Sequence, residues 1–391
     1  MSEGSGRSSR ERCEHLGGRT SDGRSGPGRR RTGNHRLRGH GPARAGWPGG
    51  RVSRDVRLGL VGATTTLGHE IASVLVDEPD LVLAELRAFA DFEPGDEGAE
   101  FDPEAMMALP SAPGDFAGLD MVLLASSAGL ALEEIRSALR AEVPCVDCSG
   151  ALLASEDVPL LVAGAGETPS VWSAPLVSAP TDASLAWFRV LRILEEEVGV
   201  EGVSGTVLHS ASLEGRAGIE ELSVQTLALL SQSEAPPEEV FAAPVAFDCF
   251  PHPAEGAEAE DSSSAPGESR LARSLVRLMG REDLRVSVTS VQVPAFAGEG
   301  SVLSVTTRDA VKAEDVARWF EAAPGLHVAS EGEVASTRET VGSADVEVAR
   351  LRSDASGSDP DRSLQMWLSA DPIRQAAENA VALMRARLSV H

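Results

Sequence analysis

The sequence predicts two folded domains, an α/β domain on a doubly wound parallel sheet and then an α+β domain. Three observations carry this. A short apolar run, RLGLVGA (57–63), ends in a glycine turn and passes directly into helical spacing. Apolar strands then alternate with amphipathic helices to about residue 178. Beyond that point apolar residues recur with period two, as in strands with one buried face.

The elements follow in order. Residues 57–63 read as a buried strand, and Gly68 to Val76 as a helix with Ile71, Val74 and Leu75 on one side. LVLAELRAFA (81–90) and MVLLASSA (121–128) are further strands, LALEEIRSALRAE (130–142) is an amphipathic helix, and PCVDCSG (144–150) is a strand. SLAWFRVLRILEEEVG (184–199) is a strong helix. GVSGTVLHSAS (202–212), LRVSVTSVQVPAF (284–296) and SVLSVTT (301–307) alternate and suggest a largely antiparallel sheet with helices on one face. Residues 253–270 are acidic and low in complexity, which reads as a mobile surface loop. The last helix spans 372–388.

The expected boundaries are therefore an extension over 1–54, a first domain over 55–178 onto which helix 372–388 packs back, and a second domain over 179–365. The extension is rich in Gly, Arg, Ser and Pro. It lacks the apolar surface that offsets ordering entropy, so it reads as disordered. It also lacks the apolar stretch of ~7–15 residues that a signal peptide needs. It reads as a passive extension, with Val52 or Val56 as possible true starts, rather than as a basic arm for RNA or membrane.

The net charge of −25 divides unevenly. Residues 1–54 hold 13 arginines against 4 acids, and the remainder holds 22 basic against 56 acidic residues. Such an acidic body does not attract nucleic acid or anionic membrane. No apolar run approaches the ~18 residues that span a bilayer. The four cysteines, Cys13, Cys145, Cys148 and Cys249, are too scattered for a disulfide framework, which fits a reducing cytoplasm. Cys145 and Cys148 form a lone C-x-x-C in a strand. They point to opposite faces, and no second pair completes a zinc site.

VGATTTLG (61–68) lies between strand and helix, where a glycine-rich turn presents N–H groups to a pyrophosphate. Its cofactor-binding candidates are Gly62, Ala63, Thr64, Thr65, Leu67 and Gly68. Thr65 stands where a glycine is usual, so its side chain is expected to crowd the phosphate. After the second strand, 88–98 holds Asp91, Glu93, Asp96 and Glu97 and no basic residue. Carboxylates repel a 2′-phosphate and accept from a free 2′-hydroxyl, so NADP is disfavoured. NAD, or no cofactor, is expected.

Several stretches in this order resemble the aspartate-semialdehyde dehydrogenases. They are VGATTTLG (61–68), CVDCSGAL (145–152), DVPLLVAG (157–164), SAPTDAS (178–184), EGRAGIEEL (214–222), APVAFDCFPH (243–252), VQVPAFAGEG (291–300), VGSADVEVARLRSD (341–354) and MWLSADPIRQAAENAV (366–381). CSGALLASEDVPLLV (148–162) and TSVQVPAF (289–296) look closer to the Usg-type paralogues, which lack the catalytic cysteine. The resemblance implies a Rossmann-type NAD(P)-binding domain, a dimerisation domain, a homodimer, and a family role in lysine, threonine and methionine biosynthesis.

Carried over residue by residue, the resemblance puts Asp182 at the nucleophilic cysteine and Glu299 at the acid–base histidine. It puts His209 at the glutamine that orients the thioester. Leu153 and Gln292 stand where arginines grip substrate anions, and Arg216 stands at a substrate-binding lysine. The family reaction needs a thiolate to add to the aldehyde before hydride leaves, and a carboxylate is a poor substitute. The expectation is a pseudoenzyme acting by binding. The alternatives are a working NAD(P)-dependent semialdehyde oxidoreductase, or a metal-dependent activity of Asp182, His209 and Glu299. Asp182 is also expected to cap a helix starting at Ala183.

Overall fold

A computed structural model describes residues 55–389, except 79–80, 92–98, 102–105, 109, 113, 166–170, 235–236, 253–266, 331 and 358. The extension 1–54, the acids Glu93, Asp96 and Glu97, and most of the acidic stretch 253–270 lie outside the described residues.

The first sheet joins β1 (Asp55–Val61), β2 (Val82–Phe89), β5 (Met121–Leu124), β6 (Cys145–Asp147) and β7 (Leu176–Ser178), all parallel, in the order β2-β1-β5-β6-β7. A small antiparallel pair, β3 (Ala99–Phe101) and β4 (Met106–Ala108), forms its own two-stranded sheet beside β2. Alternation along each strand sends side chains to both faces. Leu58, Leu60, Met121 and Leu123 pack against α1 (Thr66–Val76). Val61, Val122 and Leu124 pack against α2 (Ala128–Arg140) on the other face. Cys145 and Cys148 likewise fall into opposite clusters, as their spacing requires.

The second sheet has seven strands. They comprise β8 (Val200–His209), β9 (Phe250–Pro251), β10 (Arg285–Gln292), β11 (Glu299–Thr307), β12 (Leu326–Val328), β13 (Val346–Ser353) and β14 (Ser363–Ala370), in the order β12-β13-β14-β11-β8-β10-β9. Most neighbours run antiparallel, while β8 with β10 and β12 with β13 are parallel. One face carries Val203, Val207, Leu303, Val305, Leu364, Met366 and Leu368. It packs on α3 (Ser184–Val198), α5 (Gly267–Met279) and α6 (Ala313–Ala322). α4 (Gly215–Ser231) follows β8.

α5 corrects the sequence reading at one end. Residues 267–270, expected in a loop, form its first turn. Its apolar side, with Leu271 and Leu275, is bought into the core by tertiary contact with α3 and β10. The final helix α7 (Pro372–Ser389) packs Ala377, Ala380, Leu383 and Met384 into the first domain's core beside α1. No helix among the described residues is long and apolar enough to cross a membrane.

Candidate active site

The glycine turn is shaped by backbone crowding. Gly62 has φ +78°, and a Cβ there would lie 2.4 Å from the Ser126 nitrogen. Thr65 is the N-cap of α1: its Oγ1 accepts from Gly68 N at 3.0 Å and lies 2.9 Å from both the Gly62 and Ala125 carbonyl oxygens. The hydroxyl is therefore turned into the protein and tied there, which corrects the expectation that it crowds a phosphate. The N–H groups of Gly62 and Ala63 bond the Phe89 carbonyl. Those of Thr64, Thr66 and Leu67 have no partner among the described residues. Free donors at the positive end of a helix fit a dinucleotide pyrophosphate. Asp91, just beyond β2, donates its N–H to Thr64 Oγ1 at 3.3 Å and accepts from the Ser127 N–H at 2.6 Å.

A cavity of about 310 Å³ lies where the two domains meet. Ser149 and Leu153, after β6, form one side, and Thr181 and Asp182, before α3, form the floor. His209, at the end of β8, and Ser290 of β10 enter from the second sheet. The wall continues with Glu214, His252, Glu268 and Arg270. Its lining thus holds three carboxylates and one guanidinium. A hollow of about 730 Å³ beside α6 contains none of the candidate residues.

Asp182 stands two residues before the first residue of α3, one position further out than expected. The helix starts at Ser184, and its cap residue Ala183 has helical dihedrals and a side chain that bonds no N–H. Asp182 Oδ1 still accepts from the Ser184 N–H at 3.0 Å and from the Ser184 hydroxyl. Its Oδ2 is buried with no hydrogen-bond partner. Asp182→Asn should be nearly silent in thermal unfolding, because the accepting oxygen is kept. Asp182→Ala should cost about 1 kcal/mol, as loss of an N-terminal cap does.

His209 and Glu299 do meet. Glu299 opens β11, which runs antiparallel beside β8 with Gly300 opposite Leu208. Glu299 Oε2 lies 3.1 Å from His209 Nδ1, and Glu299 is 3% exposed. The His252 ring packs edge-on to His209 at 5.3 Å, and its Nε2 is 3.4 Å from Glu214 Oε1.

Neither expected substrate residue, Arg216 or Gln292, lines the cavity. Arg216 is 88% exposed, paired with Glu220 one turn along α4 at 2.6 Å, and lines no part of the cavity. A cation at that place on a helix surface finds its i+4 carboxylate before it finds the cleft. Gln292 is 1% exposed and spends its Nε2 on the His209 and Val293 carbonyls. It is a tie between β10 and β8. No cysteine lines the cavity, and burial pushes the Cys145 thiol up to about 12. Among the described residues no three His, Cys, Asp or Glu side chains are grouped to hold a metal.

Sequence reasoning missed His252, Glu214, Glu268 and Arg270. FPH was visible as a motif, but the antiparallel pairing of β9 with β10 and the parallel pairing of β10 with β8 bring it to His209.

The semialdehyde dehydrogenase NAD-binding domain matches residues 57–166, and the semialdehyde dehydrogenase dimerisation domain matches 191–375. The chain belongs to the aspartate-semialdehyde dehydrogenase family. It is 26% identical to the aspartate-semialdehyde dehydrogenase of Rickettsia bellii, across 85% of this chain and 97% of that one. It is 27% identical to a USG-1 protein homolog of Pseudomonas aeruginosa at the same coverage. The crystal structure of aspartate semialdehyde dehydrogenase II from Vibrio cholerae shares the fold at TM-score 0.75. That likeness is at 24% identity and covers 85% of this chain and 98% of that one.

Proposed function

We propose that this chain keeps the family's cofactor domain and cleft but has lost phosphorylating aldehyde oxidation, in the manner of the Usg-type paralogues. The observation that carries the reading is Asp182, bonded to the first N–H of α3 at the position to which the resemblance assigns the family cysteine. A helix N-terminus lowers a thiol's pKa and so makes a thiolate. Here the same place holds a carboxylate that accepts from the first turn of α3 from one residue before the cap, and a carboxylate gives no stable thioester. Leu153 and the committed Gln292 further deprive the cleft of anion clamps.

The cofactor is NAD rather than NADP. Asp91 supports this, because its carboxylate sits beside the turn at the end of β2, where a 2′-phosphate would meet its charge. When bound, the dinucleotide supplies a hydride acceptor. The chain's part is to hold the pyrophosphate on the N–H groups of Thr64, Thr66 and Leu67. The protein is a homodimer in this reading, paired through the seven-stranded sheet. Val302, 44% exposed on the face away from Leu303, supports that surface.

The test is direct. Purified protein given aspartate semialdehyde, phosphate and either NAD or NADP should form no reduced cofactor. Steady turnover would overturn the reading. Calorimetric titration should show NAD binding more tightly than NADP, and the reverse order would overturn the cofactor assignment.

A further inference from the structure

Two substitutions, one lining the cleft and one buried behind it, answer each other. The family resemblance puts an imidazole at position 299 and a side-chain amide at 209. This chain has the imidazole at 209 and a carboxylate at 299, and the two are hydrogen-bonded at 3.1 Å. We propose that the acid–base imidazole has moved one strand over, from β11 to β8, and that the cleft interconverts a small alcohol and ketone by hydride exchange with a nicotinamide dinucleotide. The proposal rests on the cofactor reading above.

The geometry supports a base of defined polarity. In the proposed arrangement His209 Nδ1–H donates to the Glu299 carboxylate. The lone pair is then on Nε2, which has no partner among the described residues, and His209 lines the cavity. Glu299 is a positioning residue. It holds the tautomer and stabilises the imidazolium that forms. The edge-on contact from His252 fixes the ring plane. The cleft wall also reaches the nucleotide turn. A Cβ on Gly215, next to Glu214, would lie 3.6 Å from Thr66 Oγ1.

The chemistry needs no thiol. An aldehyde must first become a tetrahedral adduct before its carbon can release hydride to become an acyl group, and the family cysteine makes that adduct. An alcohol carbon is already tetrahedral. In oxidation His209 Nε2 takes the hydroxyl proton, the carbon–hydrogen bond breaks with its electron pair going to C4 of the oxidised nicotinamide, and a C=O bond forms. In reduction the hydride returns to the carbonyl carbon, the oxygen takes the Nε2 proton, and oxidised dinucleotide is left.

The lining selects the substrate. Asp182, Glu214 and Glu268 face one guanidinium, Arg270, and Asp182 Oδ2 has no donor. A substrate carrying an amine is favoured over one carrying an acid. Three ketones of one skeleton separate these cases: aminoacetone, hydroxyacetone and pyruvate.

The experiment has three readouts on the full chain. Nitrogen-15 NMR of the histidines should show the Nδ1–H tautomer for His209 without cofactor, and Glu299→Gln should shift it toward Nε2–H. The Nε2–H form in the wild type would overturn the proposal. NADH binding is measured by calorimetry for wild type and His209→Asn and should be equal. With NADH deuterated at C4, mass spectrometry should find deuterium in 1-aminopropan-2-ol from aminoacetone. Less should reach the product of hydroxyacetone and none the product of pyruvate. His209→Asn should lower transfer at least 100-fold. No transfer although NADH binds, equal transfer in His209→Asn, or preference for pyruvate would each overturn the proposal. Absence of NADH binding would instead sink the cofactor reading and the hydride step with it, whatever the tautomer.

Discussion

Replacing Trp187 by alanine should be the most damaging single change in the second domain, costing about 3–5 kcal/mol. Trp187 lies on α3, is fully buried, and donates from Nε1 to Ser301 Oγ of β11 at 2.9 Å. Its ring fills the space above Gly205 of β8, where a Cβ would come within 2.6 Å of it. The truncation therefore leaves a large void at the centre of the helix–sheet interface and removes the partner of a buried hydroxyl. Denaturant unfolding measures the loss, and a change below about 1 kcal/mol would show that the interface can collapse onto the gap. Trp187→Phe should cost less, because most of the ring volume stays. Since α3 also carries the cavity floor at its start, Trp187→Ala should loosen the setting of Asp182 as well.

Gly68→Ala should be the most damaging change in the first domain. Its Cβ would lie 2.0 Å from the Gly62 carbonyl oxygen and 2.9 Å from Ala63 Cα. Both are backbone, so no flexible side chain can yield, and α1 must move off the turn. Overpacking of this kind costs about 1–3 kcal/mol or more. The displaced Thr66 and Leu67 N–H groups should weaken NAD binding by at least about tenfold, which is about 1.4 kcal/mol. Gly129→Ala in α2 is the control, because nothing lies within 4 Å of its added methyl. Calorimetry on both variants checks this. Unchanged NAD affinity in Gly68→Ala would show that the turn is not the pyrophosphate site.

A third outcome concerns restoring the family residues. Asp182→Cys with Glu299→His should not recover aspartate semialdehyde oxidation. The new thiol would lack anion clamps at Leu153 and Gln292, and His209 would lose the carboxylate that orients it. Activity at a family-like rate would show that the clamps are dispensable.

The sequence alone determined the local elements. Apolar period and glycine placement marked β1, α1 and α3 to within a residue or two, because strand and helix spacing are properties of the chain itself. The resemblance pointed to positions 182, 209 and 299, of which Asp182 and His209 line the cavity while Glu299 is bonded behind His209. Only the tertiary structure decided what those residues do. Thr65 looked like an obstruction and is a cap, because its hydroxyl finds carbonyls at Gly62 and at Ala125, sixty residues away. Arg216 and Gln292 looked like substrate ligands and are engaged elsewhere, one with Glu220 and one with strand carbonyls. His209 and Glu299 looked like two separate losses and are one hydrogen-bonded pair. A side chain's partners are set by which strands lie side by side, and the pairing of β8 with β10 and β11 is a long-range outcome of burying one core.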